Sequence, residues 1–227
     1  MYKLAQIRDF LPFTYITVLR SMIKEGNSIL DVGCGKGELM IHINCGQGSM
    51  VVGVDLCREY LLKAKALPFY TDCVCADVRF LPFRPGSFDT VLFSYVIEHL
   101  QRDDGFRIIN NLEAIAKNKV IIVTHVGPAP ANTTHDSPDF LWNPLQKHRS
   151  YYNPFEFIQR GYKVRGIGNR FFFKFITKCK RDTRLCYVIP ARRMIAYTLA
   201  SYLFSIFNFY HPNIAESMVC VKSKGDS

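Results

Sequence analysis

Residues 28 to 37 read Ser-Ile-Leu-Asp-Val-Gly-Cys-Gly-Lys-Gly, an apolar run that opens into three closely spaced glycines. A buried strand that ends this way delivers a turn of bare backbone, whose amides can lie directly against a nucleotide-like ligand. The spacing is G-x-G-x-G, and Glu38 stands where a dinucleotide-binding turn would carry its third glycine. Asp31 lies inside the strand end beside the turn. A pyrophosphate there would meet an uncompensated carboxylate, at a Coulomb cost on the order of several kcal/mol. A carboxylate in that place suits a cationic ligand instead.

Short apolar runs then alternate with helical spacing, the pattern of βαβ units whose parallel sheet is covered on both faces. Strands are expected near 28–32, 50–54, 72–76, 88–93 and 119–125, with helices over 37–45, 57–66 and 103–117. Residues 7–25 carry Ile16, Leu19 and Ile23 at helical spacing, consistent with an amphipathic helix packed over the ligand mouth or against the sheet. The chain of 227 residues, 48% hydrophobic and 14% aromatic, fits one globular domain and excludes a disordered one.

The ordered motifs resemble the class I S-adenosylmethionine-dependent methyltransferases. The glycine segment corresponds to the first block of that family. Val51-Val52-Gly53-Val54-Asp55 is a second apolar strand ending in an acid twenty residues after Gly35. Cys75-Ala76-Asp77-Val78 with Leu81-Pro82-Phe83 follows, and then Gly86 to Val91 and Val96-Ile97-Glu98-His99-Leu100, in the family's order and spacing. The resemblance implies an α/β fold: a Rossmann-like, doubly wound, mostly parallel seven-stranded sheet with helices on both faces and a helical and loop substrate cap. It implies S-adenosyl-L-methionine as cofactor. By position, Asp31, Gly33, Cys34, Gly35 and Gly37 would cradle the methionine moiety, Asp55 and Leu56 the ribose and adenine edge, Asp77 and Val78 the adenine, and Ser94 would close the pocket.

A base for the acceptor is less defined. His125, at the end of the fifth strand, and His148, in the following loop, are the candidate catalytic residues, because a neutral imidazole can take a hydroxyl proton. Ubiquinone-type O-methyltransferases place a metal on a Glu, Glu and His near the fourth block, but Tyr95 stands where the first of those glutamates would be. No metal is therefore expected, and Glu98 and His99 are read as capping or orienting the next helix. The eight cysteines lack paired zinc-ligand spacing and are read as small buried hydrophobes.

The organisation expected is an N-terminal helical segment over 1–26, a cofactor core over 27–126, a lid, sixth strand and cap over 127–216, and a last strand over 217–223. The Pro-rich stretch from Gly127 to about Ser150 would emerge at the carboxyl edge of the sheet as a substrate-side lid. Charge is uneven. Residues 1–146 carry 14 Lys and Arg against 15 Asp and Glu, 147–193 carry 13 against 2, and 194–227 carry 2 of each. All the net +10 thus sits in one block interleaved with Phe171, Phe172, Phe173 and Phe175, which favours an anionic partner.

Residues 194–210 form a seventeen-residue uncharged run, about 25 Å long as a helix and short of a ~30 Å hydrocarbon core. Lying in an anionic membrane interface, packing as an internal cap and forming a homodimer seam all stay open for it. The acceptor expected is a small molecule or a lipid- or glycan-linked group carrying negative charge. RNA is disfavoured because the fourth block reads Phe93-Ser94-Tyr95-Val96 and not an Asn-Pro-Pro-Tyr type, and a non-catalytic adaptor is the remaining alternative. The opening residues lack a signal-peptide core, so the expected location is cytoplasmic, with peripheral docking on the cytoplasmic membrane face left open.

Overall fold

A computed structural model describes residues 14–43, 48–127, 143–168 and 202–225. In chain order its regular elements are α1 (Tyr15–Met22), β1 (Ser28–Val32), α2 (Glu38–Ile43), β2 (Met50–Asp55), α3 (Arg58–Lys65), β3 (Asp72–Cys75), β4 (Phe88–Ser94), α4 (Arg102–Ile115), β5 (Ala116–His125), α5 (Pro154–Ile158), β6 (Lys163–Ile167), a helix α6 described over 202–210, and β7 (Ser217–Ser223). The seven strands form one sheet in the order β3-β2-β1-β4-β5-β7-β6. Strands β1 to β5 run parallel, and β7 is antiparallel to both of its neighbours.

The strands are apolar on both sides, as a sheet covered on both faces requires. Because successive side chains point to opposite faces, Leu30, Val32, Val91, Phe93, Val120 and Ile122 pack on one face with Ile108, Ile109, Leu112 and Ile115 of α4. Their alternates Ile29, Leu92, Ile121 and Val123 pack on the other with Val18 and Leu19 of α1 and Met40 and Ile43 of α2. Hence α1 packs against the sheet, one of the two placements its spacing allowed.

The expected strands are present, with β5 beginning earlier than expected. Helix α4 ends at Ile115 and the chain turns directly into β5 at Ala116, with a register shift opposite Phe88 and Thr90. Of the apolar run 194–210, residues 194–201 lie outside the described residues; 202–210 are helical, and Leu203, Phe204, Phe207 and Tyr210 are exposed. Asn208 anchors α6: its Nδ2 donates to Gly168 O at 2.7 Å, and a Cβ on Gly166 would lie 2.0 Å from Asn208 O. Among the described residues no helix is long and apolar enough to cross a membrane. Residues 128–142 of the expected lid and 169–201, which hold most of the basic block, also lie outside the described residues.

Candidate active site

The parallel order β3-β2-β1 brings the carboxyl ends of three neighbouring strands together, and each delivers an acid: Asp77 just beyond β3, Asp55 ending β2 and Asp31 near the end of β1. Between them runs the glycine turn. Gly33 has φ +73°, and a Cβ there would sit 2.2 Å from Val96 Cγ2. Gly33 and Cys34 donate their amides to Val54 O at 2.7 and 2.9 Å. Asp55 then pins the turn, because Oδ2 accepts from Gly35 N at 2.9 Å while Oδ1 accepts from Cys57 N at 2.8 Å. Each of these oxygens keeps a second lone pair for a ligand hydroxyl.

Two adjoining cavities open over this turn. One, of about 260 Å³, is lined by Asp55, Leu56, Asp77 and Val78. The other, of about 370 Å³, is lined by Asp31, Cys34, Ser94 and Tyr15. Gly33, Gly35, Tyr60, Tyr95 and Gln146 belong to both, so the two cavities share a wall of backbone and rings. Nine of the ten cofactor residues expected from the sequence therefore line one continuous site. Gly37 does not: a Cβ there would lie 2.7 Å from the Tyr70 ring and 2.8 Å from Leu67 Cδ1, so Gly37 serves packing and turning.

Asp31 is 2% exposed, and Tyr70 donates its hydroxyl to Asp31 Oδ2 at 2.7 Å. Burial pushes its pKa up to about 6, the Tyr70 hydrogen bond opposes the rise, and the Asp55 carboxylate adds to it. Asp77 is held differently: its carboxylate accepts from Arg79 N at 2.9 Å and pairs with the Arg79 guanidinium, whose hydrogen bonds hold its pKa below the usual carboxylate range. An adenine amino group would share that carboxylate with Arg79.

Two tyrosines complete the site that the sequence alone did not place there. Tyr15, from α1, shares a 2.7 Å hydrogen bond with Ser94 Oγ, so the helix also reaches the cavity mouth. Tyr95 has φ +53°, a conformation that costs a bulky residue roughly 1–3 kcal/mol and is found chiefly where function over-determines it. Its amide donates to Val123 O at 2.8 Å and its hydroxyl to Ser217 Oγ at 3.1 Å, which fixes the ring between the cavities and β7.

Behind the Tyr95 and His99 side of the wall lies a histidine cluster. The His99 ring, which lines the smaller cavity, is 4.9 Å from the His148 ring, and His148 is 5.5 Å from His125. The structure thus brings His125 and His148 together, although neither lines the two cavities. Burial, then repulsion from His148, lowers the pKa of both His99 and His125 to about 4, and burial lowers His148. An imidazole that weakly basic is poorly suited to hold a proton near pH 7.

Glu98 corrects an expectation. It does not cap α4, whose N-cap is Gln101; it is 2% exposed beneath the cluster, where Thr124 Oγ1 donates to its Oε2 at 3.1 Å. Its backbone carbonyl accepts from Arg149 N at 2.8 Å and Ser150 N at 3.1 Å, and this holds the segment 143–150 against the turn after β4. Asn143, Leu145, Gln146 and Arg149 of that segment line the smaller cavity.

Residues 29–119 match the methyltransferase domain family. Over that stretch the chain is similar to methyltransferase domains, and the rest of the chain lies outside the match. An uncharacterized protein of Methanocaldococcus jannaschii is 28% identical over 119 residues, covering 51% of this chain and 48% of that protein. The chain thus spans about half the length of this curated relative. Among solved structures, a SAM-dependent methyltransferase from Archaeoglobus fulgidus is similar at 15% identity and a TM-score of 0.54, over 91% of this chain and 93% of that one. Phosphoethanolamine N-methyltransferase 2 of Haemonchus contortus, in complex with S-adenosyl-L-methionine, is 20% identical with a TM-score of 0.54, over 92% of this chain and 51% of that one. At these identities the structural likeness speaks for the fold.

Proposed function

We propose that this methyltransferase binds S-adenosyl-L-methionine across the two adjoining cavities and transfers its methyl group to a hydroxyl of an anionic small-molecule or lipid- or glycan-linked acceptor. The observation that carries the reading is the convergence of Asp31, Asp55 and Asp77 around the glycine turn. In this arrangement Asp31 faces the cationic methionine end, Asp55 the ribose, and Asp77 with Val78 the adenine. Transfer forms a carbon–oxygen bond as the sulfonium carbon–sulfur bond breaks, leaving S-adenosylhomocysteine, and the hydroxyl proton leaves for solvent. The imidazoles beside the site are weakly basic, so acceleration rests on in-line positioning, worth up to ~7–11 kcal/mol in favourable systems.

Support for an anionic acceptor comes from Arg149, on the lid side of the smaller cavity, and from the basic block that follows it in sequence. Titration calorimetry with S-adenosyl-L-methionine tests the cofactor half of the reading: wild type binds and Asp55→Ala abolishes or severely weakens binding. Equal binding by Asp55→Ala would remove it. Incubation with labelled cofactor and a cell extract, fractionated into aqueous and lipid phases, then identifies the acceptor class by where the label goes.

A further inference from the structure

Glu98, His125 and His148 come from three separate segments: the turn after β4, the end of β5 and the lid. One donor atom from each lies within 4.8 Å of the other two. His125 Nε2 and Glu98 Oε1 are 3.9 Å apart, too far for a hydrogen bond. Glu98 Oε1 is buried with no hydrogen-bond partner, while Thr124 occupies Oε2 on the other side of the carboxyl. An acceptor oxygen left bare in the interior costs roughly 1–3 kcal/mol, so something is expected to complete it.

We propose that Glu98, His125 and His148 form a binding site for a divalent transition-metal ion. Two imidazoles and one carboxylate match zinc, manganese or ferrous iron, whereas magnesium and calcium prefer all-oxygen sets. Two of the ligands are also held from behind. Thr124 orients the Glu98 carboxyl, and Ser217 Oγ lies 3.3 Å from His125 Nδ1, itself receiving the Tyr95 hydroxyl. Such outer partners fix ring orientation and direct the other nitrogen to the ion. His148 rides on a segment tied to the Glu98 carbonyl through Arg149 N and Ser150 N. Ligand atoms around an ion bound at ~2.0–2.2 Å lie about 3.3 Å apart, so closure needs up to about 1.5 Å of movement, shared between the half-buried His148 and a smaller approach of His125 to Glu98.

The set differs from the Glu-Glu-His arrangement considered from the sequence, because Tyr95 replaces one glutamate, while β5 and the lid supply the two imidazoles. It also runs against the expectation of a metal-free site. Three protein donors leave a position for water or an acceptor oxygen, and the ion cross-links the lid carrying Arg149 to the sheet.

The test uses the full chain, stripped with chelator and titrated calorimetrically with zinc and manganese, with cobalt as a spectroscopic probe. Expected are one ion per chain, nitrogen and oxygen ligand-field bands for cobalt, and a higher Tm with metal. His125→Ala and His148→Ala should each weaken binding at least ~100-fold, and Thr124→Val about 10-fold. Cys73→Ser with Cys75→Ser should leave it unchanged. His148→Ala changes only a half-buried lid residue, and retained binding of S-adenosyl-L-methionine confirms its fold. Unaltered metal binding in His148→Ala and His125→Ala, a thiolate charge-transfer band in wild type, or no binding at all would overturn the proposal. The cofactor titration is independent of these readouts, so failure here leaves the methyl-transfer reading standing.

Discussion

Asp31 makes the cofactor's affinity depend on pH in a way that separates an electrostatic site from a merely shaped one. The carboxyl is buried with a pKa of about 6, against an ordinary 3.8. In the proposed complex its ionised form faces an ammonium or sulfonium, which favours the charged state and returns the pKa to the usual range or below. Binding below pH 6 must therefore expel a proton. If only the ionised form binds, at pH 5 about one site in eleven is competent, so Kd should be roughly ten-fold weaker at pH 5 than at its plateau above pH 7. With an ordinary pKa of 3.8 the same interval would change Kd by less than about 10%. Calorimetry with S-adenosyl-L-methionine between pH 5 and 7.5, in buffers of differing ionisation heat, reads both the affinity and the expelled proton. Tyr70→Phe removes the hydrogen bond that opposes the rise, so its inflection moves to higher pH. Asp31→Asn should lose both the affinity and its pH dependence. A wild-type Kd that stays flat over this range, with no proton released, would refute the cationic-ligand reasoning.

The same burial carries a stability cost without ligand. Because the folded-state pKa is raised, Asp31's contribution is fully present below pH 3.8 and is lost as pH climbs through about 6. That loss amounts to roughly 3 kcal/mol at ~1.36 kcal/mol per pH unit. Ligand-free Asp31→Asn should accordingly unfold at higher denaturant than wild type at pH 7.5, by up to that amount. Gly33→Ala, which puts a methyl 2.2 Å from Val96 Cγ2 at φ +73°, should abolish cofactor binding and cost at least ~2 kcal/mol of stability. Gly166→Ala strikes Asn208 O in α6, far from the glycine turn, and should lower Tm while leaving the cofactor Kd of the folded protein unchanged. The exposed Leu203, Phe204, Phe207 and Tyr210 beside the basic block predict flotation with anionic vesicles at low salt and release at high salt; failure to float removes membrane docking.

What was legible in the sequence follows from what repeats locally. Strands buried on both faces announce themselves as continuous apolar runs, and the glycine turn and the three acids are tied to strand ends by fixed spacing. The fold, and the nine expected residues that line the cavities, could therefore be placed from the sequence. Gly37 lines neither cavity, and spacing cannot distinguish a glycine that bares backbone to a ligand from one that admits a neighbouring ring, here Tyr70 with Leu67. Tyr15 was invisible for a different reason: its helix was expected, but not which of its residues would reach Ser94, seventy-nine positions away.

Glu98 shows the limit most sharply, and it also shows what the fold adds. In sequence it is an acid shortly before a helix, and capping is the ordinary use of such a residue. In space, the crossover that places β5 beside β4 sets Thr124 and His125 against it, and the segment 143–150 brings His148 within 4.8 Å of it. No window along the chain contains all these residues. The same contacts explain the strained Tyr95: its amide is held by Val123 and its hydroxyl by Ser217, so its ring stays between the cofactor cavities and the His125 side chain. The ring thereby lines both cavities on one side and lies 5.0 Å from the His125 ring on the other. Replacing it with glycine would relieve the backbone yet remove the ring's packing and widen the access to the histidine cluster that His99 already provides, so Tyr95→Gly should gain little stability while altering the pH dependence of cofactor binding.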